Sequence, residues 1–369
     1  MMRWSLWLLW AGLAACSHST DPNSGVLHGW RDAGLVSADP NGTGQFANII
    51  AVGSRLFVLD GKGKLWGSSA YSSGWNPIAT PQQGGAIFTF ATDGSNLFLG
   101  TLRPGRVFSY SPSQGIWTDL GLPNMDTSDV YAIAWYHGSV LATRENAAGS
   151  QIKILNDTGW QDWSDGYSGW TPYRLCVVGD TLWAPTYEND PWYRVWGEPS
   201  WKQLPSLKHP SWGGPNDSDS HPRGIASYNG NIWIGWYSGQ MAMLNASAGT
   251  YQRYQNCLNG QTGCKDIPLN IYTVVSYANH LFVGGFWPAS GFVFDDSLGK
   301  FLPMADGWCW DNNNLCGGTT VWNFAGIGDT LYAAGNARIM KYPLSQLPVA
   351  TAANVALWNW PPDSVKTVP

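Results

Sequence analysis

Arg103, Arg144 with Glu145, Tyr187 with Glu188, Trp236 with Tyr237, and Trp287 each fall at or just after a short apolar run. Trp212, His221 and Arg223 share one polar segment between two such runs. Flat rings beside charged groups suit a sugar, because the apolar C–H face of a pyranose stacks on Trp or Tyr while Arg and Glu bond its hydroxyls. Trp, Tyr and Arg are also the usual anchors of protein interfaces, so an envelope-assembly scaffold is the first alternative. A polysaccharide lyase is the second. It would set an arginine against a uronate carboxylate and a His or Tyr against the neighbouring proton, for which Arg103, Arg144, Arg223, His221 and Tyr187 are available. A glycoside hydrolase would need two opposed carboxyl groups, and Glu145, Glu188 and Asp190 are available. Neither set has a diagnostic spacing, so the preferred expectation is a glycan-binding surface without assigned catalysis.

The elements that would position these residues repeat along the chain. The repeated unit is an alternating or apolar strand, a Gly/Asn/Asp turn, a second strand, a polar loop, a third strand, and a Trp after Gly or Ser. The second-strand anchors Leu56, Leu97, Val140, Leu182, Ile232, Leu281 and Leu331 lie about 41 to 50 residues apart, the period of a four-stranded propeller blade. A turn signal precedes each, from Gly53-Ser54 to Gly328-Asp329, and seven turns imply seven inner hairpins. The outer strand is marked by Trp75, Trp117, Trp160, Trp201, Tyr251 and Phe301, one marker fewer than the hairpins. The segment Gly29-Trp30-Arg31-Asp32-Ala33-Gly34-Leu35 reads like Gly115-Ile116-Trp117-Thr118-Asp119-Leu120-Gly121. The N-terminal segment is therefore expected to supply the missing strand and close the ring, which removes an exposed edge. Ala356-Leu357-Trp358-Asn359-Trp360 is a rival closing strand, and the residues after Pro361-Pro362 are expected to be irregular.

Leu281-Phe282-Val283-Gly284-Gly285, with Phe292-Val293-Phe294-Asp295 and Phe301-Leu302-Pro303, resembles one kelch blade, although the other six lack the paired glycines. Ser113-Gln114-Gly115-Ile116-Trp117 resembles a sialidase Asp box without its aspartate, so no sialidase catalytic residue is carried across. The fold expected is all-β, a seven-bladed propeller of four-stranded antiparallel blades. In propellers of this connectivity, the loops after the second strand and those leading into the next inner strand share one face. The expected ligand-binding set is Arg103, Arg144, Tyr187, Glu188, Trp212, His221, Arg223, Trp236, Tyr237 and Trp287. The tryptophans that recur at the outer strand are assigned instead to packing between blades.

The chain opens with Arg3 and an apolar run from Trp4 to Ala15, too short to span a bilayer. Leu13-Ala14-Ala15-Cys16 resembles the lipobox of bacterial lipoproteins. That resemblance implies a signal peptide over 1–15, a lipidated Cys16 and linker over 16–27, and the propeller over 28–349 with a tail over 350–369. By the family's sorting rule, Ser17 implies the outer membrane, with contact to the membrane only through the lipid. Of 369 residues 12% are charged, the net charge is -5, and Gly 44, Trp 24 and Tyr 16 describe a turn-rich, aromatic-rich β protein. No excess of Lys and Arg exists to neutralise phosphates, so nucleic acid is not an expected partner. A monomer is expected, with a glycan or an envelope protein as partner.

Cys257 and Cys264 enclose six residues, as do Cys309 and Cys316, and each pair is read as a local disulfide stapling a loop of an exported protein. Cys176 sits in an apolar run and is read as core. No cofactor or metal is expected. Asp217 and Asp219 alternate with other oxygen side chains as a calcium loop would, but the EF-hand order is absent.

Overall fold

The structure is a computed structural model that describes residues 29–36, 46–69, 74–121, 128–146, 149–187, 190–205, 207, 221–237, 239–255, 257–258, 270–286, 291–304, 320–335, 338–349, 358–359 and 366–367. Seven antiparallel sheets stand around one axis. Blade 1 is Phe46–Val52, Arg55–Asp60, Leu65–Ser69 and Asn76–Ile78, and blade 2 is Ile87–Thr92, Leu97–Thr101, Val107–Ser111 and Ile116–Gly121. Blade 3 is Ile133–Tyr136, Ser139–Asn146, Gly149–Asn156 and Gly159–Asp162, and blade 4 is Cys176–Val178, Thr181–Ala184, Trp192–Val195 and Lys202–Gln203. Blade 5 is Pro222–Tyr228, Asn231–Trp236, Gln240–Asn245 and Thr250–Gln255, and blade 6 is Asn270–Tyr277, His280–Phe286, Gly291–Asp295 and Lys300–Pro303. Blade 7 takes Val321–Ile327, Thr330–Gly335 and Arg338–Pro343 from the end of the chain, and its outer strand is Arg31–Val36 from the beginning. The closure expected from Trp30 is thus present, and each second-strand anchor lies in its blade's second strand.

The second strands read as continuous apolar runs because both of their faces are covered. Leu56 and Val58 pack toward blade 7, while Phe57 and Leu59 pack toward blade 2, which is the two-residue alternation of a strand applied to two neighbours at once. All four are buried. Among the described residues, one hydrophobic cluster fills each junction between adjacent blades, and the cluster joining blades 7 and 1 completes the circle. The innermost strands of all seven blades line a central cavity of about 340 Å³.

Two repeated side-chain devices tie blade to blade. At the perimeter, outer-strand indoles donate to the backbone of the preceding blade: Trp30 to Met304 O (2.6 Å), Trp75 to Ala33 O (2.8 Å), Trp160 to Leu120 O (2.8 Å) and Trp201 to Trp163 O (2.9 Å). This geometry explains why tryptophan recurs there: an indole combines a large apolar face with a donor that reaches across the junction. Near the axis, tyrosines at the end of inner strands donate to the next blade's hairpin turn: Tyr136 to Asp180 O (2.6 Å), Tyr228 to Asn279 O (3.3 Å) and Tyr277 to Gly328 O (3.0 Å). Gly326 has no room for a side chain, since a Cβ there would lie 2.2 Å from the Tyr277 ring.

Two of these phenols, with Tyr254 of the blade 5 outer strand, set an alkaline limit. Tyr136, raised by burial and by the Asp180 charge, Tyr228, raised by burial and by its bond to Asp296, and Tyr254, raised by burial, are each pushed up to about 12. The folded protein therefore holds protons that the unfolded chain, with tyrosine pKa near about 10, gives up. Stability is expected to fall as pH rises from about 10 through about 12, because the unfolded state binds fewer protons in that window. Ultraviolet absorbance of tyrosinate followed alongside circular dichroism checks this. Complete ionisation with the fold intact would contradict it.

The C-terminal segment departs from expectation. Trp358–Asn359 pairs with Cys257–Leu258 rather than closing the ring. Lys366–Thr367, expected to be irregular, adds a fifth strand to blade 5 against Thr250 and Tyr251. The exposed edge of an outer strand offers free backbone donors and acceptors, and a short extended segment beyond the prolines is enough to use them. Cys16, Cys264, Cys309 and Cys316 lie outside the described residues and only the backbone of Cys257 is described, so the lipidation and disulfide assignments fall there too. No helix among the described residues is long and apolar enough to cross a membrane.

Candidate functional site

One local irregularity recurs at the same end of the inner strands. In blades 1, 2, 5, 6 and 7 the register slips by one residue near the strand start, leaving Ala47, Phe88, Arg223, Tyr272 and Trp322 between paired positions. A bulge of this kind re-aims a side chain that ordinary alternation would send elsewhere, and bulges are enriched beside functional sites. In blades 3 and 4, Tyr131 and Tyr173 stand just ahead of the inner strand. Six of the seven blades thus bring an aromatic ring or a guanidinium to the start of the inner strand.

Four of these groups, with side chains from the loops after the second strands, form a continuous cluster over blades 4 to 7. The Arg223 guanidinium lies over Tyr173 (4.5 Å), Tyr237 (5.2 Å), Tyr187 (5.5 Å) and Tyr272 (5.8 Å). His221 stacks on Tyr237 at 5.2 Å and 7°, and its carbonyl accepts the Tyr237 N–H at 2.8 Å. Tyr272 meets Trp322 at 4.3 Å, and the Trp322 carbonyl accepts Arg174 Nη2 at 2.9 Å. Arg174 also lines the central cavity, so the cluster forms part of the cavity's mouth. Burial pushes the Tyr173 and Tyr272 phenols well above the ordinary tyrosine value. Both remain protonated donors across the physiological range, which suits them to binding rather than to acting as bases.

A second group lies on the same face over blades 2 and 3. Asp129 accepts from Arg103 through its backbone N–H (3.0 Å) and Nε (3.4 Å), and from the Tyr131 hydroxyl (3.2 Å). Phe88 meets Tyr131 edge-on at 5.4 Å. Arg144 Nε donates to Ser128 Oγ at 3.1 Å, and Glu145 exchanges backbone hydrogen bonds with Asp129. The Arg103 side chain is 82% exposed, so its ion pair with Asp129 adds little stability and leaves the guanidinium open to a ligand.

The structure therefore brings together Tyr187, His221, Arg223 and Tyr237 from the expected set, and places Arg103 and Arg144 in the neighbouring group. Trp236 is corrected. It is 2% exposed and packs with Trp183, Ile225 and Ile234 between blades 4 and 5, because the second strand keeps its alternation through its last residue. Glu188, Trp212 and Trp287 lie outside the described residues, as do Asp217 and Asp219. Among the described residues, no group of three or more His, Cys, Asp or Glu side chains could hold a metal ion. Cys176 packs against the same junction as Trp236, and burial raises its thiol pKa, in keeping with a core role.

Sequence reasoning missed Tyr173, Arg174, Tyr272 and Trp322. A signal for three of them existed: Tyr173, Tyr272 and Trp322, like Arg223, each precede the last inner-strand residue of their blade, Val178, Tyr277, Ile327 and Tyr228, by five positions.

No protein-family model matches the chain, and no curated protein matches it. Solved structures do. The extracellular domain of the putative one component system BT4673 from B. thetaiotaomicron aligns with a TM-score of 0.64 at 13% identity, over 85% of this chain and 40% of that one. YCF48 bound to D1 peptide aligns at 0.60 and 11% identity, over 85% of this chain and 94% of that one. The WD40 β-propeller domain of Doa1 aligns at 0.58 and 12% identity, over 88% of this chain and 100% of that one. The chain thus spans about two fifths of the length of the BT4673 structure and nearly all of the other two. At these identities the likeness establishes the architecture the sheets already display, a seven-bladed β-propeller.

Proposed function

We propose that this chain is an extracytoplasmic binding protein, tethered through a lipidated Cys16 in the bacterial envelope, that recognises a glycan at the mouth of its central channel. The observation that carries the reading is the collection of open rings on one face. Tyr187 (52% exposed) stands in the arginine and tyrosine cluster, Phe88 (41%) stands against Tyr131 in the neighbouring group, and Trp170 (65%) lies in the loop leading into blade 4. Exposed flat rings next to fixed donors are what the two faces of a sugar require, apolar C–H on one side and hydroxyls around the edge. The cluster is also held before any ligand arrives, through the ring contacts of Arg223 and His221, and such ordering lowers the entropic cost of binding. The BT4673 structure, described as the extracellular domain of a one component system, is compatible with an extracytoplasmic role.

Peptide recognition is the second reading, favoured by the peptide-bound state of YCF48 and by the prominence of Tyr and Arg at the mouth. A glycan array followed by tryptophan-fluorescence titration separates the two. Tyr187→Ala is expected to weaken glycan binding by about tenfold or more with an unchanged unfolding midpoint, since this half-exposed ring contributes little packing. Silence across the array, with an envelope protein recovered by crosslinking, would replace the glycan with a protein partner.

A further inference from the structure

Arg174 and Arg223 are the two cations of the mouth, and among the described residues neither meets a carboxylate. Arg174 gives one Nη2 hydrogen bond to the Trp322 carbonyl and, among the described residues, is the only charged one lining the central cavity. Arg223 lies against aromatic faces, and its Nε is out of solvent contact with no hydrogen-bond acceptor. The Tyr173 hydroxyl, on the ring beneath Arg223, is likewise out of solvent contact and without a partner. Burial and the nearby Arg223 charge both oppose the charge on Arg174. Arginine does not shed its proton in proteins, and a buried charge without a counter-charge costs several kcal/mol. Buried donors that point at nothing are the exception in folded proteins and require a cause.

We propose that Arg174, Arg223 and the Tyr173 hydroxyl form an oxyanion subsite at the channel mouth, which takes the carboxylate or sulfate group of an acidic sugar. The inference rests on the glycan reading of this face and narrows it to charged polysaccharide. An oxyanion supplies the missing acceptors and the missing negative charge together, and charge-assisted bonds to guanidinium are the strong members of their class. The cavity below, about 340 Å³, matches the lower end of the usual range for ligand pockets. The surrounding Tyr187, Tyr237 and Tyr272 rings would then hold the sugar's body while the arginines hold its charge.

The test uses the full chain with paired probes: oligogalacturonate against its methyl ester, and dextran sulfate against dextran. Wild type is expected to bind at least one acidic probe about tenfold or more tighter than its neutral counterpart, the value of one charge-assisted hydrogen bond. Arg223→Gln should abolish that preference, and Tyr173→Phe, which keeps the ring, should reduce it. Inorganic sulfate, compared with chloride at equal ionic strength, should raise the unfolding midpoint more in wild type than in Arg223→Gln, and this readout involves no sugar. Equal binding of acidic and neutral probes, with no difference in the sulfate response, would overturn the subsite and leave the glycan reading standing. A variant-dependent sulfate response with no binding of any sugar would overturn the glycan reading and, with it, the acidic sugar as occupant. Should Arg223→Gln fail to fold, the wild-type preference and Tyr173→Phe still decide the matter.

Discussion

Trp30→Ala is expected to destabilise the protein by about 3 to 5 kcal/mol, the usual cost of removing a buried tryptophan. Trp30 is 3% exposed, stacks on Phe324 at 6.2 Å, meets Tyr342 edge-on at 5.2 Å, and donates its indole proton to Met304 O. It therefore touches blades 6 and 7 at once, just ahead of the strand that completes blade 7. That strand is also held by a short ladder to Arg338–Pro343, by the Arg338–Asp32 ion pair at 2.6 Å, by the Trp75 bond to Ala33 O and by the burial of Ala33 and Leu35 against blade 1. Trp30→Phe keeps much of the ring contact but leaves the Met304 carbonyl without its donor, for a smaller loss of about 1 to 3 kcal/mol. Urea unfolding gives both values, and early protease cleavage near the N-terminus should accompany the alanine variant. A Trp30→Ala protein within about 1 kcal/mol of wild type would mean that this strand does not secure the ring.

Trp236→Ala should produce a loss of similar size, about 3 to 5 kcal/mol, by opening a cavity between blades 4 and 5. The indole sits among Trp183, Ile225, Ala242 and Leu244, and its neighbour in sequence, Tyr237, is the one that reaches the mouth. Adjacent residues of the chain thus serve packing in one case and the proposed site in the other. A comparison of Trp236→Ala with Tyr237→Ala therefore sorts stability from recognition. The first should lower the urea midpoint strongly, and the second should weaken ligand binding while changing the midpoint little. Wild-type stability in Trp236→Ala together with loss of binding would place the indole at the ligand.

The periodic parts of this protein were legible in its sequence because they obey one rule seven times. Each second strand is apolar on both faces, each hairpin carries a turn pair, and the outer strand carries a tryptophan, tyrosine or phenylalanine, so Leu56 through Leu331 and Trp30 through Phe301 could be aligned without knowing any contact. The site was legible in part. Tyr187, His221, Arg223 and Tyr237 follow from connectivity, which sends two kinds of loop to one face. Tyr272 and Trp322 were hidden because a bulge adds a residue and shifts the two-residue phase, so alternation misjudges where a bulged side chain goes. Trp236 failed for the opposite reason: a position that reads as loop is still strand. The C-terminal pairings with blade 5 and with Cys257–Leu258 carry no periodic signal, since a two-residue strand on an existing edge needs only extended backbone.

Asp32 and Arg338 meet although 306 residues separate them. Until that much polypeptide has been brought back to it, the first strand has no partner in its sheet. Any copy that stops short of Arg338 keeps an unfinished sheet with a free border, a form that proteases and chaperones recognise by its exposed backbone and apolar surface. The stitch between these two segments makes closure of the ring depend on both of them being present, since neither alone completes the seventh sheet.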